Sequence, residues 1–197
     1  MLTFAAAVFF LIITPGPGVL TTAGVGAGFG WSAGVRYVIG LFLGTNAVAL
    51  AVVTGLWAAV AAAPGLREAL FAASTLYLLY LAGKIAFAGS KVAFIEARRA
   101  PGITGGLLLQ AINPKAYAVN TALFTGFAFL PGSLGAELAL KFLIMNLIWA
   151  PVHLAWLGAG VTLHRMNLRP KVQSLINKGM AGAMLCVVAL AVWSQLA

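Results

Sequence analysis

Long apolar runs, separated by short clusters of glycine, proline and charge, dominate the pattern of this chain. A helix needs roughly 20 apolar residues to cross about 30 Å of hydrocarbon. Six runs meet or approach that length: Leu2 to Ala23, Tyr37 to Ala63, Ala69 to Ala88, Gly105 to Leu130, Leu138 to Leu163, and Gly179 to Leu196. Barrel strands would read as short alternating segments, so the runs predict helices. Between the first two lies GVGAGFGWSAG, ending near Arg36 and expected as a flexible loop or as close helix packing. Pro64–Gly65 and Pro131–Gly132 turn the second and fourth spans. Charged loops follow the third span (Lys91, Glu96, Arg98, Arg99) and the fifth (Arg165, Arg169, Lys171, Lys178). No linker is long enough for a second domain. The expected fold is one all-α polytopic membrane domain over residues 1–197, with halves of 1–100 and 101–197.

Composition agrees with that pattern. Hydrophobic residues make up 62% and charged residues 8%, against roughly a quarter charged in soluble domains. Mean hydropathy is +1.04. The net charge is +9, from 12 Lys and Arg against 3 Asp and Glu. The basic residues cluster between apolar runs and are not interleaved with base-stacking aromatics, so nucleic acid is not an expected partner. Arg36, Lys91, Arg98, Arg99, Arg165, Arg169, Lys171 and Lys178 fall in the odd loops; only Arg67 and Lys141 fall at the even ones. The positive-inside rule then puts the odd loops in the cytoplasm and both termini outside. Residues 1–13 carry no basic side chain, so a cleaved signal peptide is not expected. The single cysteine, Cys186, forms no internal disulfide and is expected to pack as a small apolar residue.

Six spans divide into three plus three, a count at which the second half enters from the opposite face, as in inverted-repeat transporters. The halves share no evident sequence similarity, so that reading rests on counting. Interrupted helices in corresponding positions of two such halves mark a binding site. The first span is interrupted by TPGPG (Thr14 to Gly18), and the fourth by AINPKAY, with Asn113, Pro114 and Lys115. Proline removes a backbone donor and clashes with the preceding turn. Pro15 and Pro17 therefore strip helical donors from the carbonyls of Leu11 and Ile13, and Pro114 from that of Gln110. Pro17 and Pro114 also suit the first position of a new helix, with Gly16 and Asn113 as caps. A broken helix offers a carbonyl end that suits an ammonium and an amide end that suits a carboxylate. A zwitterionic amino acid needs both, and Lys115 adds a full positive charge beside the carboxylate. At 1.5 Å per residue both breaks lie roughly 9–12 Å from the cytoplasmic face, so they could meet, whereas an ideal inverted repeat would mirror them across the midplane; the sequence leaves open whether they do. The plainer readings are that the fourth span starts at Pro114, and that TPGPG is a kink with packing value.

Three further polar sets sit on the spans. Ser74, Tyr77, Tyr80 and Lys84 form a stripe on the third, competing with an interfacial tyrosine belt and a snorkelling lysine. Asn146, Trp149, His153 and Trp156 share a face of the fifth, where Pro151 predicts a kink; interhelical hydrogen bonding competes for Asn146. Asn120 shares a face of the fourth with Asn113. Gly40 and Gly44 form a GxxxG contact signal. The relaxed dinucleotide pattern at Gly28, Gly30 and Ala33 follows no strand and is rejected. Enzyme chemistry is not expected. The chain has no HExxH, aspartyl pair or serine elbow, and His153 and His164 stand about 16 Å apart along one helix. Metal export is disfavoured by the lack of intramembrane carboxylate or thiol clusters. A structural or regulatory membrane protein without transport is the remaining alternative.

TPGP at Thr14 to Pro17, YLLYLAGK at Tyr77 to Lys84, and INPKAY ahead of FAFLP resemble the lysine exporter (LysE/RhtB-type) family of amino-acid translocators, in order and over nearly the whole chain. The resemblance implies a six-helix inner-membrane exporter of amino acids or related small metabolites, driven by an ion gradient. It implies that Pro15, Gly16, Pro17, Asn113, Pro114 and Lys115 are functional positions. Members often carry an acidic residue after the second-span GxxxG; here Thr45 and Asn46 stand there, and the chain has no Asp. The expected substrate-binding set is Pro15, Gly16, Pro17, Gly18, Asn46, Tyr77, Asn113, Pro114, Lys115, Asn120 and His153. No cofactor and no metal are expected. The coupling ion, proton or sodium, is left open. The expected partners are an amino-acid substrate and the lipid bilayer, and a homodimer is compatible with the pattern.

Overall fold

The computed structural model describes residues 1–14, 16–55, 100–130 and 132–166 without a gap, and scattered positions elsewhere. The expected third and sixth spans lie largely outside the described residues, as do Pro15, Ser74, Tyr77 and Lys84. Every continuous element among the described residues is a helix: α1 (Leu2–Ile13), α2 (Pro17–Val53), α3 (Gly102–Ile112), α4 (Pro114–Gly126) and α5 (Leu134–Arg165). Phe4, Val8 and Ile12 recur at the four-residue spacing of one helix face and are the buried residues of α1. Leu43, Leu50, Leu143 and Leu147 project outward instead, a surface suited to hydrocarbon.

The glycine-rich stretch is not a loop. Helix runs through it, interrupted only at Gly30, where φ is +76° and ψ −175°. That left-handed conformation costs glycine nothing and strains any residue with a Cβ. The chain turns back there, and Tyr37 Oη donates to Thr21 Oγ1 at 2.9 Å between the two limbs of α2. The second limb, residues 31–53, is about 34 Å long and long enough to span a bilayer. The second span thus begins earlier than its hydropathy predicts. Packing overrides the low helix propensity of glycine here: a Cβ on Gly26 or Gly34 would lie within 2.7 Å of Leu157.

Helix α2 packs on α3 and α5 and touches α4, while α1 packs on α5 and α4. The GxxxG signal marks a real crossing. A Cβ on Gly40 would stand 2.0 Å from the Ile103 carbonyl oxygen, and one on Gly106 2.3 Å from that of Tyr37. We expect Gly40→Ala to lose about 1–3 kcal/mol, the usual cost of overpacking, in detergent unfolding. Gly135→Ala, whose Cβ would meet nothing within 4 Å, should be near neutral.

The fourth span starts at Gly102 and its helix ends at Gly126 rather than Leu130. Glu137 explains the early end. Its Oε2 accepts the backbone N–H groups of Phe129 and Leu130, at 3.0 and 2.6 Å. Its Oε1 lies 2.9 Å from Lys141 Nζ. Lys141 Nζ also donates to the Phe124 carbonyl at 3.1 Å, capping the last turns of α4. The rings of Phe4 and Phe129 stand 6.0 and 5.8 Å from that ammonium. Glu137 and Lys141 read as helix-end charges in sequence; they are buried, holding α1, α4 and α5 together at one end. Pro151 sits inside α5 without ending it. Cys186 is exposed rather than packed; on an apolar helix the outward face is the one lipid covers, and a small side chain fits there equally.

Candidate substrate site at the paired helix breaks

Both breaks form where the prolines put them. Gly16 is the N-cap of α2 and Asn113 the N-cap of α4, with Pro17 and Pro114 in the first turn of each. A missing N–H costs nothing at that position, because the first helical donors have no partner in any case. Gly16 is extended, with φ −162°, a conformation open to any residue. Its smallness serves space instead: a Cβ there would lie 2.8 Å from Lys115 Cδ and 3.1 Å from its Nζ.

The two breaks meet. Lys115, on the first turn of α4, donates from Nζ to the Thr14 carbonyl at 2.6 Å. That carbonyl belongs to the last turn of α1, where helical partners run out. The Thr14 hydroxyl donates to Phe10 O at 2.6 Å and so tightens the same turn. An ammonium therefore sits on the carbonyl end of the first break, as its polarity favours, and Lys115 itself supplies it.

From the second break a chain of neutral amides runs to α2. Asn113 Oδ1 accepts the Lys115 backbone N–H at 3.1 Å. Asn113 Nδ2 donates to Gln110 Oε1 at 2.7 Å, and Gln110 Nε2 donates to Thr45 Oγ1 at 2.9 Å. The Gln110 carbonyl, which Pro114 deprives of its helical donor, takes the Asn113 N–H at 3.2 Å in a tightened turn. All three side chains are buried. Burial of polar groups at this depth is tolerable because each is hydrogen-bonded.

A cavity of about 60 Å³ opens beside the junction. Gly16, Gly18, Asn113, Lys115, Asn120 and His153 line it, so six residues of the expected set come together from α1–α2, α4 and α5. Pro17 and Pro114 shape the breaks without lining the cavity. Asn46 is placed elsewhere: it exchanges two hydrogen bonds with Asn146, at 3.0 and 2.9 Å, and ties α2 to α5. Pro15 and Tyr77 fall outside the described residues. Thr45 and Gln110 line the cavity and were not among the expected site residues. Their signal was present as a glutamine inside an apolar run, one turn before INPK, and a threonine directly after GxxxG.

His153 stacks on Trp149 with ring centroids 3.6 Å apart. Its Nδ1 lies 3.0 Å from the Trp149 carbonyl. A carbonyl only accepts, so Nδ1 carries the proton, and in the neutral ring Nε2 is the acceptor. That Nε2 faces Gly18, where a Cβ would stand 3.4 Å away. Asn120 Nδ2 donates to the Ala116 carbonyl at 2.7 Å. Its Oδ1 is buried without a donor among the described residues, and Thr121 Oγ1 is buried without a partner among them. Among the described residues no cluster of His, Cys, Asp or Glu is arranged to hold a metal ion.

Sequence comparison places residues 9–195 in the family described as LysE type translocator. No curated protein matches the chain, and no solved structure does.

Proposed function

Because the chain belongs to the LysE type translocator family, we propose that it exports amino acids or related small metabolites across the bacterial inner membrane as a secondary-active carrier. The observation that carries this reading is the Lys115–Thr14 contact, which joins the two broken helices beside a polar-lined cavity. The loop charges support a cytoplasmic placement of the odd loops, with both termini outside.

The contact also supplies a means of coupling binding to movement. Lys115 holds a neutral carbonyl; a carboxylate offers it a charge-assisted and stronger bond. A substrate carboxylate drawn to Lys115 and to the amide ends of α2 and α4 releases the Thr14 carbonyl. The substrate ammonium then takes that carbonyl in place of Lys115. The exchange keeps every charge partnered and removes the tie between α1 and α4. Binding therefore loosens one junction between the half-helices, which alternating access requires. The driving gradient, of protons or sodium, acts in this reading without a carboxylate at the cavity.

The test is efflux from cells preloaded with a labelled amino-acid mixture, with and without the protein. Faster loss of at least one amino acid is expected. Equal retention of all of them overturns the proposal.

A further inference from the structure

We propose that the cavity admits α-amino acids with neutral side chains and rejects those with a basic one; this rests on the translocator reading above. The charges around the cavity carry the argument. Lys115 is a full positive charge in its wall. The first turns of α2 and α4 point partially positive amides to the same region. Among the described residues no carboxylate lines it. The chain has only Glu68, Glu96 and Glu137. Glu137 is bound to Lys141 and to two backbone amides at the far end of α4. Glu68 and Glu96 lie between the apolar runs in sequence.

The neutral polar groups do not replace a counter-ion. Thr45, Gln110 and Asn113 hold one another. Asn120 Oδ1, buried with no donor among the described residues, and His153 Nε2 in the neutral ring are acceptors, but neither carries a charge. A neutral carbonyl, that of Thr14 in the exchange above, is enough for an α-ammonium, whose own carboxylate travels with it and is matched by Lys115. It is not enough for a second ammonium at the end of a side chain. An unpaired cation at this depth in a membrane protein is strongly disfavoured. The rest of the wall is apolar, with Leu11, Ile12, Val19, Val119, Leu123 and Met145, and suits a short aliphatic side chain.

The test uses the full chain reconstituted in liposomes, with two labelled amino acids of equal heavy-atom count, norvaline and 2,4-diaminobutyrate, at neutral pH. Glycine and alanine serve as smaller neutral probes. Norvaline counterflow at least about tenfold faster than that of diaminobutyrate is expected, given the penalty for an unpaired cation. Asn120→Asp, which adds the missing carboxylate, should narrow that gap. Equal transport of the pair by the unaltered protein overturns the selectivity while leaving the translocator reading in place. Movement of none of the four overturns both. The comparison in the unaltered protein stands even where Asn120→Asp fails to fold.

Discussion

Replacing Lys115 by alanine is expected to abolish export while the protein still inserts in the membrane. Lys115 makes the one hydrogen bond that crosses between the two breaks among the described residues, to Thr14 O at 2.6 Å. It is also the cation at the cavity wall. Alanine removes the proposed partner for a substrate carboxylate and the tie between α1 and α4. A conservative Lys115→Arg keeps the charge but not the fit. Gly16 leaves no slack, since even its Cβ would stand 2.8 Å from the lysine stem, and a planar guanidinium is bulkier than an ammonium. Arginine is therefore expected to retain folding and lose most of the transport. Efflux assays read alongside membrane-fraction immunoblots check both variants, and normal export by Lys115→Ala would falsify the proposed role.

The second large effect falls on stability. Glu137→Ala leaves Lys141 buried with the Phe124 carbonyl and two ring faces but no counter-charge. It also strips the acceptor from the backbone amides of Phe129 and Leu130. Breaking one side of a buried ion pair is far more costly than removing both. The single variant should lower the detergent unfolding midpoint more than Gly40→Ala does. The double variant Glu137→Ala, Lys141→Met should recover part of the loss. A double variant no more stable than the single one would show that the charge pairing is not what holds this end.

Local chemistry made much of the site legible in the chain itself. Proline at residues 17 and 114, beside a glycine and an asparagine that can cap, suits a helix start, so the caps at Gly16 and Asn113 are legible in the sequence, whereas Pro151 lies inside α5. The glycine-rich stretch was harder. Glycine reads as a loop former by propensity, and only the facing Leu157 shows that its smallness serves helix packing. Asn46 and Asn120 look alike in sequence, each a polar residue in an apolar run. One is satisfied by Asn146, and the other lines the cavity with its side-chain oxygen buried and unpaired among the described residues. Which partner an amide finds depends on the rotation of helices about one another, and no local pattern records that.

By itself the sequence determined that the chain is helical and apolar, where its first and fourth spans break, and which polar residues lie near the breaks. These follow from hydropathy, from the missing N–H of proline and from residue spacing, all of them local. Tertiary structure alone decided that the breaks touch, that Lys115 rests on Thr14, and that Glu137 and Lys141 are a buried pair and not surface charges. Those outcomes depend on close helix crossings at Gly40, Gly106 and Gly160, where backbones approach to distances that exclude a Cβ. Such crossings set helix depth and rotation, and through them the partner each buried polar group receives.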